Sequence, residues 1–203
     1  MSKKEKGPAW ERTFVMVKPD GVQRGLIGEV IGRFEKRGLK VIALKMIKPT
    51  LEHVDNHYPQ DDEWVDRLGG KGFKVFEEYG LKPKDHMGTD DQMEAGKMVR
   101  KWLIDYMTEA PVAAMIIDGV HAVDMVRKIA GTTLPSKADI GTIRGDYSVD
   151  SPASANLEGR AIKNIVHASE NTKEAEHEIA HWFSQEDIYD DYARSDHKAM
   201  FNE

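Results

Sequence analysis

The chain has 203 residues and a formal net charge of -6, and none of its residues is cysteine. Disulfides, thiolate catalysis and cysteine-ligated metal centres are therefore excluded, and the acidic balance argues against binding nucleic acid through bulk charge. The length fits one domain with embellishments. No apolar run reaches the roughly 20 residues of a membrane span. Met1–Trp10 is basic without the apolar core of a signal peptide, which predicts a short disordered lead-in to a cytoplasmic protein.

The first part of the chain predicts a strand, a helix and a second strand. Thr13–Lys18 is a β-branched and apolar run that ends at a Pro-Asp-Gly turn signal. Leu26–Arg37 repeats apolar residues with a helical period, and Leu39–Lys48 then alternates as a strand. Thr50–Tyr58 begins with a threonine suited to capping and predicts a short helix.

The same order returns later in the chain. Val112–Ile117 predicts a strand, Ala122–Ala130 an amphipathic helix, Asn164–Ala168 a short strand and Thr172–Phe183 a further helix. Two strand–helix–strand units predict an α+β fold of the ferredoxin-like β-α-β-β-α-β type. Its four-stranded sheet would be antiparallel, with helices packed on one face.

Three segments exceed that plan. Pro59–Ala110 is a glycine- and charge-rich insertion with one predicted helix near Gln92–Met107, and Asp150–Ala161 is a smaller insertion. Gln185–Glu203 forms an acidic tail, which leaves Glu11–Ser184 as a single interrupted domain. The large insertion and the tail each carry a net charge of -4, so the remainder of the chain is mildly basic, at +2. A small phosphorylated ligand, which needs only a few placed cations, is therefore not excluded.

One short motif points to a metal. His177-Glu178-Ile179-Ala180-His181 satisfies H-E-x-x-H, the pattern of zinc peptidases. On a helix, however, both histidines lie opposite the apolar face, toward water, and the metzincin third histidine is missing. Two solvated histidines are the favoured interpretation, and a zinc hydrolase is the alternative.

A different histidine lies at the end of a predicted strand. His167 follows Ile165 on the same face of Asn164–Ala168 and could simply be a core histidine with a hydrogen-bonded neighbour. Glu178, at the edge of the apolar face of the next helix, is placed to reach that imidazole. A carboxylate there fixes the tautomer and frees the other ring nitrogen as a nucleophile.

Cations and hydroxyls also occur at the ends of predicted elements. Singly, each is more often solvated than functional. Together with a strand-end histidine they supply what phosphoryl transfer needs, namely donors for the charge on the transferring oxygens and a nucleophile. The sequence has neither a G-x-x-x-x-G-K-[ST] loop nor a strand followed by G-x-G-x-x-G, which argues against P-loop and Rossmann enzymes. The cations and hydroxyls at the ends of predicted elements are Lys18, Arg127, Thr133 and Arg144.

Three separated segments resemble the nucleoside diphosphate kinase family. They are Glu11–Gly25 (ERTFVMVKPDGVQRG), Gly131–Asp146 with its G-T-I-R-G-D, and Asn164–Ser169 (NIVHAS). The resemblance covers most of the chain outside the insertions. The family signature N-x-x-H-[GA]-S-D is matched except at its last position, where Glu170 replaces aspartate.

The resemblance implies a magnesium-dependent ping-pong transfer of the γ-phosphate of a nucleoside triphosphate to a nucleoside diphosphate. His167 would be the phosphorylated nucleophile, with its ring held by Glu178. Lys18 would meet the transferred phosphate and the sugar 3′-hydroxyl, with Tyr58 beside the catalytic pair. Magnesium would sit on the nucleotide phosphates and not in a protein cage. The remaining phosphates would be bound by Arg127, Thr133 and Arg144, and the sugar would be bound by Asn164.

The resemblance leaves the base site and the assembly open. The family clamps the base with an aromatic residue from a short segment that Pro59–Ala110 replaces, and Trp64 is a candidate for that aromatic residue. The family also implies a homo-oligomer, a hexamer or tetramer, with no membrane and no specific nucleic acid as partner. A third hypothesis is a non-catalytic module of the same fold that only binds nucleotides.

Overall fold

The computed structural model describes residue 7 and residues 9–201. Most of the predicted lead-in Met1–Trp10 lies outside those residues, and Trp10 itself already opens the first strand. The four strands are β1 (Trp10–Val17), β2 (Lys40–Ile47), β3 (Val112–Val120) and β4 (Val166–Ala168). The described residues also form these helices: α1 (Pro19–Gln23), α2 (Ile27–Lys36), α3 (Leu51–His57), α4 (Asp62–Glu78), α5 (Pro83–Met87), α6 (Gln92–Thr108), α7 (Ala122–Ala130), α8 (Ile143–Tyr147), α9 (Pro152–Leu157), α10 (Thr172–Trp182) and α11 (His197–Phe201).

The strands form one antiparallel sheet in the order β2-β3-β1-β4. This arrangement confirms the predicted ferredoxin-like core. β4 is short and pairs only with the second half of β1, where His167 lies opposite Met16. The sheet therefore brings the start of the chain's last strand next to the end of its first.

Helices cover both faces of the sheet. The connecting helices α2 and α7 lie on one face, as predicted, and pack against Val15 and Val17 of β1. The opposite face carries Phe14 and Met16 and is covered by α3, α6 and α10, which contribute apolar residues such as Trp182. Because β1 is buried on both faces, its last five residues are inaccessible, and the last four of them, Phe14 to Val17, are apolar.

The large insertion is more helical than the sequence predicts. It forms α4 and α5 in addition to the predicted helix α6, and a small apolar cluster of Phe76, Met87 and Ala95 lies between them. Helices α4 and α6 cross in close contact, because a Cβ atom at Gly69 would lie 1.9 Å from the Gln92 carbonyl oxygen. A Cβ at Gly96 would likewise lie 2.0 Å from a backbone oxygen of α4. The smaller insertion forms α9, which packs on α4.

The acidic tail folds back onto the start of β2. The Tyr189 amide donates to the carbonyl of Ile42 (2.8 Å), and Arg194 donates to that of Leu39 (3.0 Å). Asp190 forms an ion pair with Arg12 at 2.6 Å. The negative charge of the tail is thus partly neutralised by contacts with the sheet.

Candidate active site

His167 lies in β4 with its side chain half-buried on the face covered by α10. Its ring centroid is 5.8 Å from that of Phe14 on the neighbouring strand. The expectation that Ile165 shares this face is wrong. Ile165 precedes β4, has a left-handed backbone (φ 69) and packs into the apolar cluster on the opposite face. The left-handed turn reverses the alternation on which the prediction relied.

Glu178 contacts His167, as the sequence predicts. Its side chain is only 3% exposed, and Oε1 lies 2.7 Å from His167 Nε2. The other oxygen, Oε2, accepts a hydrogen bond of 2.6 Å from the hydroxyl of Ser169, a residue that sequence reasoning left without a role. Because a carboxylate oxygen only accepts, Nε2 carries the hydrogen and Nδ1 keeps its lone pair.

A second buried histidine lies beside this pair and was missed from sequence. His57 ends α3, and its Nδ1 lies 3.7 Å from Glu178 Oε1 and accepts a hydrogen bond of 3.3 Å from the indole of Trp182. Burial, together with the nearby His167, lowers the pKa of His57 well below its ordinary value, so the ring is neutral. The available signal was its position three residues after Val54, on the buried face of α3.

Tyr58 follows His57 and is half-buried. The two rings lie 4.9 Å apart, and Tyr58 also stacks on Trp64 at 6.1 Å with an interplanar angle of 29°. Burial and the charge of Glu178 raise the pKa of Tyr58, so its hydroxyl remains protonated. Trp64 of the insertion therefore lies close to the site.

Lys18 and Asn164 come together where β1 ends. Lys18 is buried, and its Nζ donates to Asn164 Oδ1 at 2.9 Å. The amide group of Asn164 in turn donates to the carbonyl of Thr133 at 3.0 Å. Burial and the charge of Arg144 lower the pKa of Lys18 to about 8, so Lys18 is charged at neutral pH but loses its proton at mildly alkaline pH.

An open pocket of about 500 Å³ adjoins β4. Arg127, Thr133 and Arg144 line it, and so does Ala168, the residue next to His167. Arg127 is exposed and donates to the carbonyl of Glu170 at 3.1 Å. The pocket therefore presents two guanidinium groups beside the nucleophile candidate.

Arg144 is more deeply embedded than the sequence predicts. It is buried, and it donates to the carbonyls of Gly131 (2.5 Å) and Val166 (2.6 Å). Burial and the charge of Arg127 lower the pKa of Arg144 to about 10, which still leaves it charged at neutral pH. Each terminal nitrogen uses one of its two hydrogens in these bonds, so further donors remain for a ligand.

Two constellations of possible metal ligands differ in geometry. His57, His167 and Glu178 bring ligand atoms within 4.8 Å of one another. Two imidazoles and a carboxylate suit zinc better than magnesium, and hydrogen bonds already occupy these atoms. In the H-E-x-x-H motif, Glu178 turns toward His167, His177 is exposed, and His181 stacks on His53 at 4.2 Å. The residues of that motif thus do not converge on one point.

The sequence is similar to one family over nearly all its length. A family model described as nucleoside diphosphate kinase matches residues 11–66 and 62–188. A nucleoside diphosphate kinase from Pyrobaculum aerophilum is 48% identical over 178 residues, which cover 88% of this chain and 97% of the relative. One from Pyrococcus furiosus is 43% identical over 180 residues, which cover 89% of this chain and 87% of the relative.

Solved structures agree with the sequence matches. A crystal structure of an NDP kinase from Pyrobaculum aerophilum superposes with a TM-score of 0.86 at 46% identity and covers 89% of this chain and 100% of its own. A nucleoside-diphosphate kinase from Borrelia burgdorferi, described as a transition-state mimic with bound vanadate and ADP, gives a TM-score of 0.78 at 34% identity. It covers 95% of this chain and 98% of its own.

Proposed function

The chain belongs to the nucleoside diphosphate kinase family, and we propose that His167 carries the phosphate in its reaction. The activity is the reversible transfer of the γ-phosphate of a nucleoside triphosphate to a nucleoside diphosphate through a phosphohistidine, and nucleotides are its substrates. The observation that carries the assignment to His167 is the 2.7 Å contact between Nε2 and Glu178. It leaves Nδ1 unprotonated at the edge of the pocket, as a nucleophile must be.

Each half-reaction exchanges one bond for another. The Nδ1 lone pair of His167 attacks the γ-phosphorus, and the bond from that phosphorus to the bridging oxygen breaks. The diphosphate leaves with the electron pair. In the second half an oxygen of the acceptor diphosphate attacks the same phosphorus, and the N–P bond breaks. Glu178 stabilises the positive charge that develops on the imidazole in both directions.

The surrounding residues supply positioning and charge. Lys18 at the end of β1 would meet the transferred phosphate and the sugar hydroxyl, and Tyr58 would border the catalytic pair. Four residues around the pocket would bind the nucleotide: Arg127, Thr133 and Arg144 its phosphates, and Asn164 its sugar. Charge stabilisation by fixed donors of this kind is the main source of catalysis in phosphoryl transfer.

Magnesium fits this site as a companion of the nucleotide. The pocket is lined by guanidinium groups, and the single ligand cluster among the described residues is nitrogen-rich, whereas Mg²⁺ prefers oxygen. When bound to the phosphates, the ion neutralises part of their charge. Arg127 and Arg144 would hold the phosphates that carry it. Glu170, which replaces the family's aspartate, lies beside this pocket through its carbonyl contact with Arg127.

The family's homo-oligomer, a hexamer or tetramer, is also part of the proposal. β2 is an edge strand that exposes Leu44 (53%) and Met46 (62%). Leu51, just after the strand, is 65% exposed. An exposed apolar edge is a common site of chain pairing. Light scattering on the purified protein tests this assembly. Among the described residues, no helix has the length and apolar character to cross a bilayer. A cytoplasmic location stays a prediction, which cell fractionation tests.

The test of function is phosphate transfer from γ-labelled ATP to the protein. We expect an acid-labile, alkali-stable label that GDP removes and that is absent from His167→Ala. His177→Ala, which changes the exposed histidine of H-E-x-x-H, is the matched control and should label normally. A label retained by His167→Ala would contradict the assignment. ATP binding with no label in the wild type would favour the non-catalytic module. Stoichiometric bound zinc that is lost in His181→Ala would favour the hydrolase.

A further inference from the structure

We propose that Asp20, held in place by Tyr106 of α6, is a positioning residue for phosphate transfer. Its carboxylate would fix the backbone that aims Asn164 and His167 and would hold Lys18 in its charged form. The inference rests on the proposed function, because it assigns Asp20 a task only if His167 and Lys18 meet the phosphate.

The Asp20 carboxylate joins three distant parts of the chain. The side chain is 6% exposed, in the first turn of α1. Oδ1 accepts the hydroxyl of Tyr106 at 2.5 Å, and Oδ2 accepts the backbone amide of Ile165 at 3.1 Å. A buried carboxylate needs such donors, because leaving it unpaired is costly. Asp20 therefore ties α6 to the residue that leads into β4.

Ile165 needs this support because its backbone is strained. A β-branched residue with φ of 69 lies outside the regions that L-residues favour, at a cost on the order of 1–3 kcal/mol. Two hydrogen bonds hold it on both sides: Ile165 donates to Asp20, and the Lys18 amide donates to the Ile165 carbonyl at 2.8 Å. Gly21 permits the approach, since a Cβ there would lie 3.0 Å from the same carbonyl oxygen.

The strained turn sets the direction of two functional side chains. Asn164 precedes Ile165 and bonds to Lys18, while His167 follows two residues later in β4. Because the left-handed residue reverses the usual alternation, Ile165 packs into one apolar cluster while His167 faces Glu178 on the other side of the sheet. If the turn relaxed, the geometry of the nucleophile relative to Lys18 would change.

The negative charge of Asp20 also opposes the effects that lower the pKa of Lys18. Burial and the charge of Arg144 lower the pKa of Lys18, whereas the negative charges of Asp20 and Glu178 raise it. The ring of Tyr106 lies below the ammonium, with Nζ 5.7 Å from its centroid. The groups that face Lys18, drawn from α1, α3, α6, α8 and α10, are Asp20, His57, Tyr106, Arg144 and Glu178.

The first test is Asp20→Asn in the full-length enzyme. The amide removes the negative charge and cannot accept both hydrogen bonds, so we expect kcat to fall about tenfold with little change in KM. The alkaline limb of kcat/KM should also move to lower pH, because Lys18 then loses its proton more readily. A purely structural role would lower stability without moving the pH profile.

A second pair of variants covers the case in which Asp20→Asn does not fold. Tyr106→Phe removes one donor to Asp20 but keeps the carboxylate charge and the ring below Lys18. We expect kcat to fall about threefold with an unchanged pH profile. Tyr192→Phe is the matched control: it removes a hydroxyl bond to the Val41 carbonyl, far from the site, and should leave kcat unchanged.

The outcomes separate this inference from the proposed function. If the wild type takes no label on His167, the proposed function fails. If the wild type labels normally and Asp20→Asn or Tyr106→Phe labels at the wild-type rate with the same pH profile, the function stands and the role of Asp20 is refuted.

Discussion

The catalytic centre and the inserted helices are held together by different forces. Around His167 the contacts are buried polar ones that link β1, β4 and α10: Ser169 bonds to both Phe14 and Glu178, and Glu178 bonds to His167. In the insertion, α4 and α6 meet through backbone contact at Gly69 and Gly96 and enclose a small apolar cluster.

The difference matters because the polar contacts fix the geometry of the site, whereas the apolar packing contributes mainly to stability. A satisfied buried polar network allows one arrangement of its members, so it fixes the geometry that a reaction requires. Apolar helix packing mainly contributes free energy of folding and tolerates small shifts. The two regions meet along the second half of α6, which packs on the sheet and bonds to Asp20 through Tyr106, and at the stack of Tyr58 on Trp64. Changes in the centre, or in the part of α6 that contacts it, should therefore affect the rate, and changes where α4 packs on α6 should affect stability.

The largest effect is expected for Glu178→Gln. The amide has no charge to stabilise the imidazolium, and it can donate to Nε2, which would place the hydrogen on Nδ1 and block attack. We expect the rate of His167 phosphorylation to fall about 100-fold, with the free energy of unfolding changed much less. Rapid-quench labelling with γ-labelled ATP measures that rate.

Glu174→Gln is the matched control, one turn earlier on α10. Burial and the charge of Glu178 raise the pKa of Glu174, whose carboxylate accepts the backbone amide of Glu170 and not the ring of His167. Its phosphorylation rate should stay within about threefold of the wild type. Equal losses in the two variants would mean that the contact at 2.7 Å has no special role.

An intermediate effect, on stability, is expected for Gly96→Ala. The new Cβ would lie 2.0 Å from the Val65 carbonyl oxygen, a backbone atom, so α4 and α6 would have to separate. We expect the free energy of unfolding in urea to fall by about 2–3 kcal/mol, while kcat of the folded enzyme changes less than about threefold.

Gly72→Ala supplies the control in the same helix pair. The nearest atom to its Cβ would be 3.8 Å away, so alanine fits and should stabilise α4 by up to about 1 kcal/mol. If Gly96→Ala lowered kcat as strongly as Glu178→Gln, the separation between the two regions would be wrong.

Sequence patterns predicted the sheet well because its signals are local. The runs around Phe14 and Val112 are apolar over several residues, and the family motifs mark both His167 and Lys18. The contact between Glu178 and His167 also followed from the position of Glu178 at the edge of an apolar helical face.

What the sequence did not predict depends on tertiary contact. Helix α4 contains three glycines and many charges, so its propensity is poor, and it forms because its glycines allow close packing on α6. Ile165 carries no sequence mark of its left-handed backbone, because its hydrogen bonds from Lys18 and to Asp20 come from a distant part of the chain. His57 acquires its place from the indole of Trp182, 125 residues away.

The smallest effect is expected where the insertion touches the site, at Trp64. Its ring stacks on Tyr58, so it supports that side chain, and it is not among the described residues that line the phosphate pocket with Arg127 and Arg144. For Trp64→Ala we expect KM to rise about twofold to fivefold, equally for purine and pyrimidine diphosphates, with kcat nearly unchanged.

Trp64→Phe keeps a stacking ring and should restore KM. Steady-state assays with several diphosphates measure the difference. A rise in KM confined to purines would instead make Trp64 the aromatic residue that stacks on the base, and the insertion would then take a direct part in substrate choice.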